Sequence, residues 1–122
     1  MARFRALLID DEEELVSTIV ERLGYRGVDA EFALTGATAL GMLRKQTYDV
    51  VVLDLKLPGM SGVEVLRNIK KEHPAIPVLL ITGHGSPMNH LEEKPEEAFD
   101  FLAKPIDLES LIEKMEEAIK SV

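Results

Sequence analysis

The stretch VVLDLKLPGMSG, residues 51–62, decides the fold. With Val50 it begins as an unbroken aliphatic run, Val50–Leu53, and stops abruptly at Asp54. A strand with one wet face alternates polar and apolar residues. A short run apolar at every position, bounded by turn residues, is a strand covered on both faces. Pro58-Gly59 supplies the turn, and Ser61 opens a helical pattern of Val63, Leu66 and Ile69, joined by Val65, with Glu64 at the capping-box spacing.

The same grammar recurs along the chain. Ala6–Ile9 is an apolar run ending in Asp10-Asp11, and Val78–Ile81 is another, ending in Thr82-Gly83. Val28–Phe32 is weaker and partly alternating, and Phe99–Ala103 ends at Lys104-Pro105. Helical patterns fill the gaps. Leu15, Ile19 and Leu23 repeat every four residues, joined by Val16 and Val20, until Gly24, and Ala37, Leu40 and Leu43 mark a second helix. Pro74 and Pro77 close the helix after Ser61, and Leu108, Leu111, Ile112, Met115 and Ile119 mark the last one, with Asp107 as its N-cap. Between Thr82 and Phe99 the pattern is least regular, and a short helix is expected from about Pro87 to Glu93. Five strands alternating with five helices predict a single doubly wound α/β sheet.

Composition bounds the function. A chain of 122 residues fits one domain over its whole length, 1–122. With 14 basic against 22 acidic residues and a net charge of −8, it lacks the basic footprint of a nucleic-acid-binding domain. No cysteine is present, which excludes disulfides, thiolate metal sites and a cysteine nucleophile. The apolar runs are too short to span a bilayer and residues 1–9 carry no signal-peptide pattern, so a cytoplasmic location without membrane contact is expected. Acidic runs such as Glu12–Glu14 and Glu116-Glu117 read as solvated helix surface.

In open α/β sheets, ligands bind outside the carboxyl ends of the strands. Those ends carry Asp10, Asp11, Asp54, Thr82 and Lys104. Singly, each has a plain structural use: a helix-capping acid, a loop carboxylate, a β-branched strand residue, a solvated lysine. Together they form a chemical inventory. Clustered carboxylates repel and call for a cation. Mg²⁺ suits them, since it binds through one or two carboxylates and completes its shell with water and phosphate oxygens. A lysine and a hydroxyl beside them complete the parts needed for phosphoryl transfer, with a carboxylate able to act as nucleophile.

The blocks LLIDDEEE, VVLDLKLPGMSG, PVLLITGHG and FDFLAKPIDLESL, in this order and spacing, resemble the receiver domain of bacterial two-component response regulators over nearly the whole chain. The resemblance implies a flavodoxin-like three-layer fold with strand order 2-1-3-4-5. It implies Asp54 as phosphoacceptor, with Asp10 and Asp11 as the acidic pair holding Mg²⁺ (Mn²⁺ as a substitute), Asp11 the more direct ligand. The backbone carbonyl of Lys56 would join them. Thr82 matches the switch hydroxyl, Lys104 the phosphate-binding lysine, and Lys104-Pro105 a cis peptide. Phe101 stands at the aromatic switch position, and an ordinary core phenylalanine is the alternative. Lys56 and His84 flank the route of attacking water, where they would tune the lifetime of the phosphoryl group; His73, His84 and His90 show no metal-ligand spacing.

The implied partner is a sensor histidine kinase or phosphotransfer protein. The signal would leave through the face made by the fourth helix, fifth strand and fifth helix, toward an output domain or a second copy. TGHG resembles receivers attached to ATPase-type transcription activators. The sequence departs from the family at Glu97, where glycine is common, so the fourth helix is expected to be short, displaced or mobile. Three rivals remain: a small aspartate-dependent phosphatase, which would want a second aspartate where Lys56 stands; a nucleotide or flavin module, for which no glycine-rich phosphate loop is visible; and a receiver-like interaction domain that is never phosphorylated.

Overall fold

The computed structural model describes residues 4–57, 59–83 and 95–122. The elements follow in the order β1 (Arg5–Ile9), α1 (Glu13–Tyr25), β2 (Asp29–Ala33), α2 (Gly36–Lys45), β3 (Val50–Asp54), α3 (Gly62–Glu72), β4 (Val78–Thr82), β5 (Asp100–Ala103) and α4 (Leu108–Lys120). All neighbouring strands pair in parallel, in the order β2-β1-β3-β4-β5. The expected helix at Pro87–Glu93 lies outside the described residues, as does the question of its length or mobility. The helix expected as the fifth is α4.

Strand periodicity divides the interior into two cores. Leu7, Ile9, Val51, Leu53, Val78 and Leu80 face α2 and α3, packing on Leu40, Leu43, Val65, Leu66 and Ile69. The intervening residues Ala6, Leu8, Val50, Val52, Leu79 and Ile81 face α1 and α4, packing on Val16, Leu23, Leu111 and Met115. The three central strands are therefore apolar on both faces along Ala6–Ile9, Val50–Leu53 and Val78–Ile81, and β3 and β4 are buried throughout. The edge strands β2 and β5 are only half-covered, which explains their weaker pattern.

Caps define the helix boundaries. Thr35, Ser61 and Asp107 each accept the backbone N–H three residues on, from Thr38, Glu64 and Ser110, opening α2, α3 and α4. At the end of α1 the structure differs from the expectation that Gly24 stops the helix. Gly24 lies within the last turn, and the stop is Gly27 at φ 84°. The Val28 N–H donates to the Leu23 carbonyl and the Gly27 N–H to the Gly24 carbonyl, the paired bonds of a Schellman motif, with Val28 and Leu23 both in the same core. Of the expected α1 stripe, Val16 and Leu23 are buried and Ile19 and Val20 pack against the same core, whereas Leu15 is exposed.

Two glycines make opposite demands. A Cβ on Gly62, at the start of α3, would lie 2.6 Å from Leu55 Cα and 2.7 Å from the Leu55 carbonyl oxygen. Only glycine lets α3 begin this close to the strand end that carries Asp54. Gly41, inside α2, has nothing within 4 Å of the same position. We expect Gly62→Ala to destabilise the protein by ~1–3 kcal/mol through backbone displacement. Gly41→Ala should stabilise it by ~0.5–1 kcal/mol through helix propensity. Urea unfolding of both variants checks the pair, and equal shifts would refute the close-approach account.

Candidate functional site

The sheet's order reverses between β1 and β3, and the site lies at the carboxyl ends there. Register does the assembling. Ile9 pairs with Leu53, so Asp10 stands alongside Asp54. Asp54 pairs with Ile81, so Thr82 follows one step beyond, and Thr82 pairs with Ala103, which places Lys104 next. Among the described residues the buried polar or charged side chains are Asp10, Asp54 and Thr82. A core this apolar tolerates polar groups only where they are paired.

Asp54 is held from both sides. Its Oδ1 accepts the Lys56 N–H at 2.8 Å, and its Oδ2 accepts from Lys104 Nζ at 2.8 Å. The Lys104 ammonium also donates to Glu12 Oε1 at 3.1 Å and lies 3.8 Å from Asp10 Oδ2. Asp10 Oδ1 in turn accepts the Glu12 N–H at 2.9 Å. The Thr82 hydroxyl donates to the Leu102 carbonyl at 3.4 Å, a long bond directed at β5. The Lys104–Pro105 peptide is cis.

The electrostatics follow from this geometry. Burial raises the Asp10 pKa above the usual carboxylate range; the hydrogen bond from the Glu12 N–H works against it, and the charge of Asp54 adds to it. At Lys104 burial opposes the ammonium, but the bonds to Asp54 and Glu12 and the charge of Asp10 outweigh it and raise the pKa. Carboxylate oxygens of Asp10, Glu12 and Asp54 lie within 4.8 Å of one another. Three carboxylates against the one ammonium of Lys104 leave two negative charges in excess, the charge of one divalent cation. The donor set is all oxygen, which fits a hard ion such as Mg²⁺.

Five residues named from the sequence, Asp10, Asp54, Thr82, Lys104 and Pro105, meet at this edge. Asp11 is exposed and is not part of the carboxylate group. Lys56 brings its backbone to Asp54 while its side chain is exposed. Phe101 is 42 % exposed on β5, which rules out the ordinary core phenylalanine. His84 lies outside the described residues. Glu12, counted among the solvated surface acids, is exposed as expected, and the structure adds a bond from Lys104 to its carboxylate. Its place two residues after Asp10, at the end of a strand, was the available signal.

Asp10 gives a test of the cluster. Its folded-state pKa is raised, so its ionisation disfavours the metal-free fold, and stability is lost as pH rises through that pKa. Asp10→Asn should therefore stabilise the metal-free protein at neutral pH. The advantage should shrink as pH falls through the Asp10 pKa, and added Mg²⁺ should stabilise the wild type more than the variant. Urea titrations at two pH values, with and without Mg²⁺, measure this. A variant less stable than wild type in all conditions would contradict it.

Comparison with known proteins agrees with this geometry. Residues 6–116 match the family model described as the response regulator receiver domain. The chain is 33% identical over 120 residues to the response regulator protein PilR of Pseudomonas aeruginosa, covering 98% of this chain and 27% of PilR. It is 31% identical over 119 residues to the DNA-binding transcriptional regulator NtrC of Escherichia coli, covering 98% of this chain and 25% of NtrC. The chain spans about a quarter of the length of the first of these curated relatives. Among solved structures, the receiver domain of NtrX from Brucella abortus superposes with a TM-score of 0.86 at 30% identity, covering 96% of this chain and 99% of that one. A response regulator receiver domain protein from Clostridium thermocellum does so at 0.88 and 32% identity, covering 97% and 95%. With the fold, the strand order and 111 consecutive residues of the family model in agreement, the chain belongs to the response regulator receiver family.

Proposed function

We propose that residues 1–122 form one receiver domain of a two-component phosphorelay, with Asp54 as phosphoacceptor. The observation that carries this reading is the placement of Asp10, Asp54 and Thr82, buried polar groups in an otherwise apolar interior, with Lys104 bonded to Asp54 at 2.8 Å. Such a group is costly to bury unless it has work to do.

The donor is a phosphohistidine presented by a sensor histidine kinase or a phosphotransfer protein. An oxygen of the Asp54 carboxylate attacks phosphorus in line. The new bond is P–O, the P–N bond breaks, and the imidazole leaves with its electron pair. Asp10, Asp54 and the Lys56 carbonyl would hold Mg²⁺, joined by Asp11 if its exposed side chain turns inward, with Mn²⁺ as a substitute. Bound there, the ion offsets the charge that keeps a phosphoryl group away from carboxylates. Lys104 neutralises a phosphoryl oxygen from the other side. Thr82 exchanges its long bond to Leu102 for a phosphoryl oxygen. Phe101 then turns from its exposed position into the space vacated.

The consequence is a changed surface on β5, α4 and the segment between β4 and β5, read by an output domain or a second copy of the chain. PilR and NtrC are several times longer than this chain, which supports an output domain of the transcription-activator kind. The domain works on its own aspartate and on no external substrate, and hydrolysis of the acyl phosphate resets it. Lys56 and His84 influence how fast. Nothing in the reading requires nucleic acid or membrane contact by this domain. No described helix is long and apolar enough to cross a membrane, and a cytoplasmic site of action follows from the kinase partner.

The test is incubation with Mg²⁺ and acetyl phosphate, read by intact mass. The wild type should gain one phosphoryl group, and Asp54→Asn should gain none. Beryllofluoride should bind only with Mg²⁺ and should shift the NMR signals of Thr82 and Phe101. An unmodified wild type would favour a receiver-like interaction domain that is not phosphorylated. An undiminished adduct on Asp54→Asn would place the acceptor elsewhere.

A further inference from the structure

Glu12 is the carboxylate of the cluster that the acceptor chemistry leaves unused. It sits at the N-terminal edge of α1 without capping that helix through its side chain. Its backbone N–H is bound by Asp10, and its Oε1 accepts from Lys104 at 3.1 Å. The side chain is 60% exposed, so burial does not compel the contact.

The difficulty it addresses is at Asp54. Oδ2 of Asp54 holds the ammonium at 2.8 Å, yet the proposed chemistry asks this carboxylate to hold a divalent cation and then to carry a phosphoryl group. An ammonium has three N–H donors and no acceptor. With Asp54 and Asp10 as its sole partners, Lys104 would compete with the cation for the same oxygens. We propose that Glu12 is a positioning residue for Lys104, a second seat that holds the ammonium at the rim while Asp54 exchanges partners. With Glu12 present, leaving Asp54 costs Lys104 one of its two close carboxylate bonds rather than its only one. This rests on the reading of Asp54 as acceptor and adds the element that keeps the lysine at hand.

The test uses metal-free protein labelled with ¹⁵N-lysine. The Lys104 ammonium resonance should shift in Glu12→Gln. It should stay in place in Glu13→Gln, which removes the same charge from an exposed side chain in the same turn. In calorimetric titration, Glu12→Gln should weaken Mg²⁺ binding about three- to tenfold, through the lost charge and the tighter hold of Lys104 on Asp54. Most of that loss should vanish in a Lys104→Met background. An ammonium resonance unmoved by Glu12→Gln would overturn the proposal. So would the full loss of Mg²⁺ affinity persisting without Lys104, which would make Glu12 a direct ligand. Both readouts precede phosphorylation, so a chain that shows the coupling but takes no phosphoryl group sinks the acceptor reading alone.

Discussion

Everything at the working edge of this protein depends on the ion pair between Lys104 and Asp54, 2.8 Å apart and largely out of water. A carboxylate buried beside another carboxylate is an unfavourable thing to build. The ammonium makes it tolerable, and makes it so incompletely, since Asp10 and Glu12 share the same cation. A cluster left short of positive charge is a cluster prepared to accept more. The sheet edge therefore carries an excess of negative charge that a hard cation would offset.

The sheet supplies the precision. Parallel pairing between β1, β3, β4 and β5 steps the register so that each strand's last residues stand next to their neighbours'. Because the central strands serve two cores at once, sliding one of them would expose aliphatic residues on one face and misplace others in the second. The apolar interior thus sets where the polar edge falls. The close approach of Gly62 to Leu55 adds a further restraint, seating α3 against the loop that follows Asp54.

Much of this was legible in residue order. Aliphatic runs ending in Asp10, Asp54 and Thr82 announced covered strands, and the joint placement of polar residues at their ends announced a candidate site. Ser61 and Asp107 announced helix starts through local chemistry that needs no partner. What the residue order hid depends on direction and rotation. Gly24 and Gly27 both look like helix stops, and only the backbone bonds of Val28 and Gly27 decide between them. Glu12 is one of three consecutive glutamates, and which of them turns toward Lys104 is set by where α1 begins. Phe101 belongs to a strand whose edge position, and therefore whose exposure, comes from the sheet order.

The strand ladder does not stop at the last residue of each strand. The Asp10 N–H donates to the Ala33 carbonyl, the Leu55 N–H to Ile81 and the Lys104 N–H to Thr82. Asp10, Asp54 and Lys104 are therefore each pinned through their own or their neighbour's amide to an adjoining strand. Such rungs leave the site few soft coordinates, and those are torsions of side chains. On the reading of Asp54 as acceptor, a signal would leave as side-chain rotation, of the Thr82 hydroxyl away from the Leu102 carbonyl and of the aromatic ring one residue before it. The molecule is thus a stiff frame carrying a small number of hinged levers, and its vocabulary of states is correspondingly short.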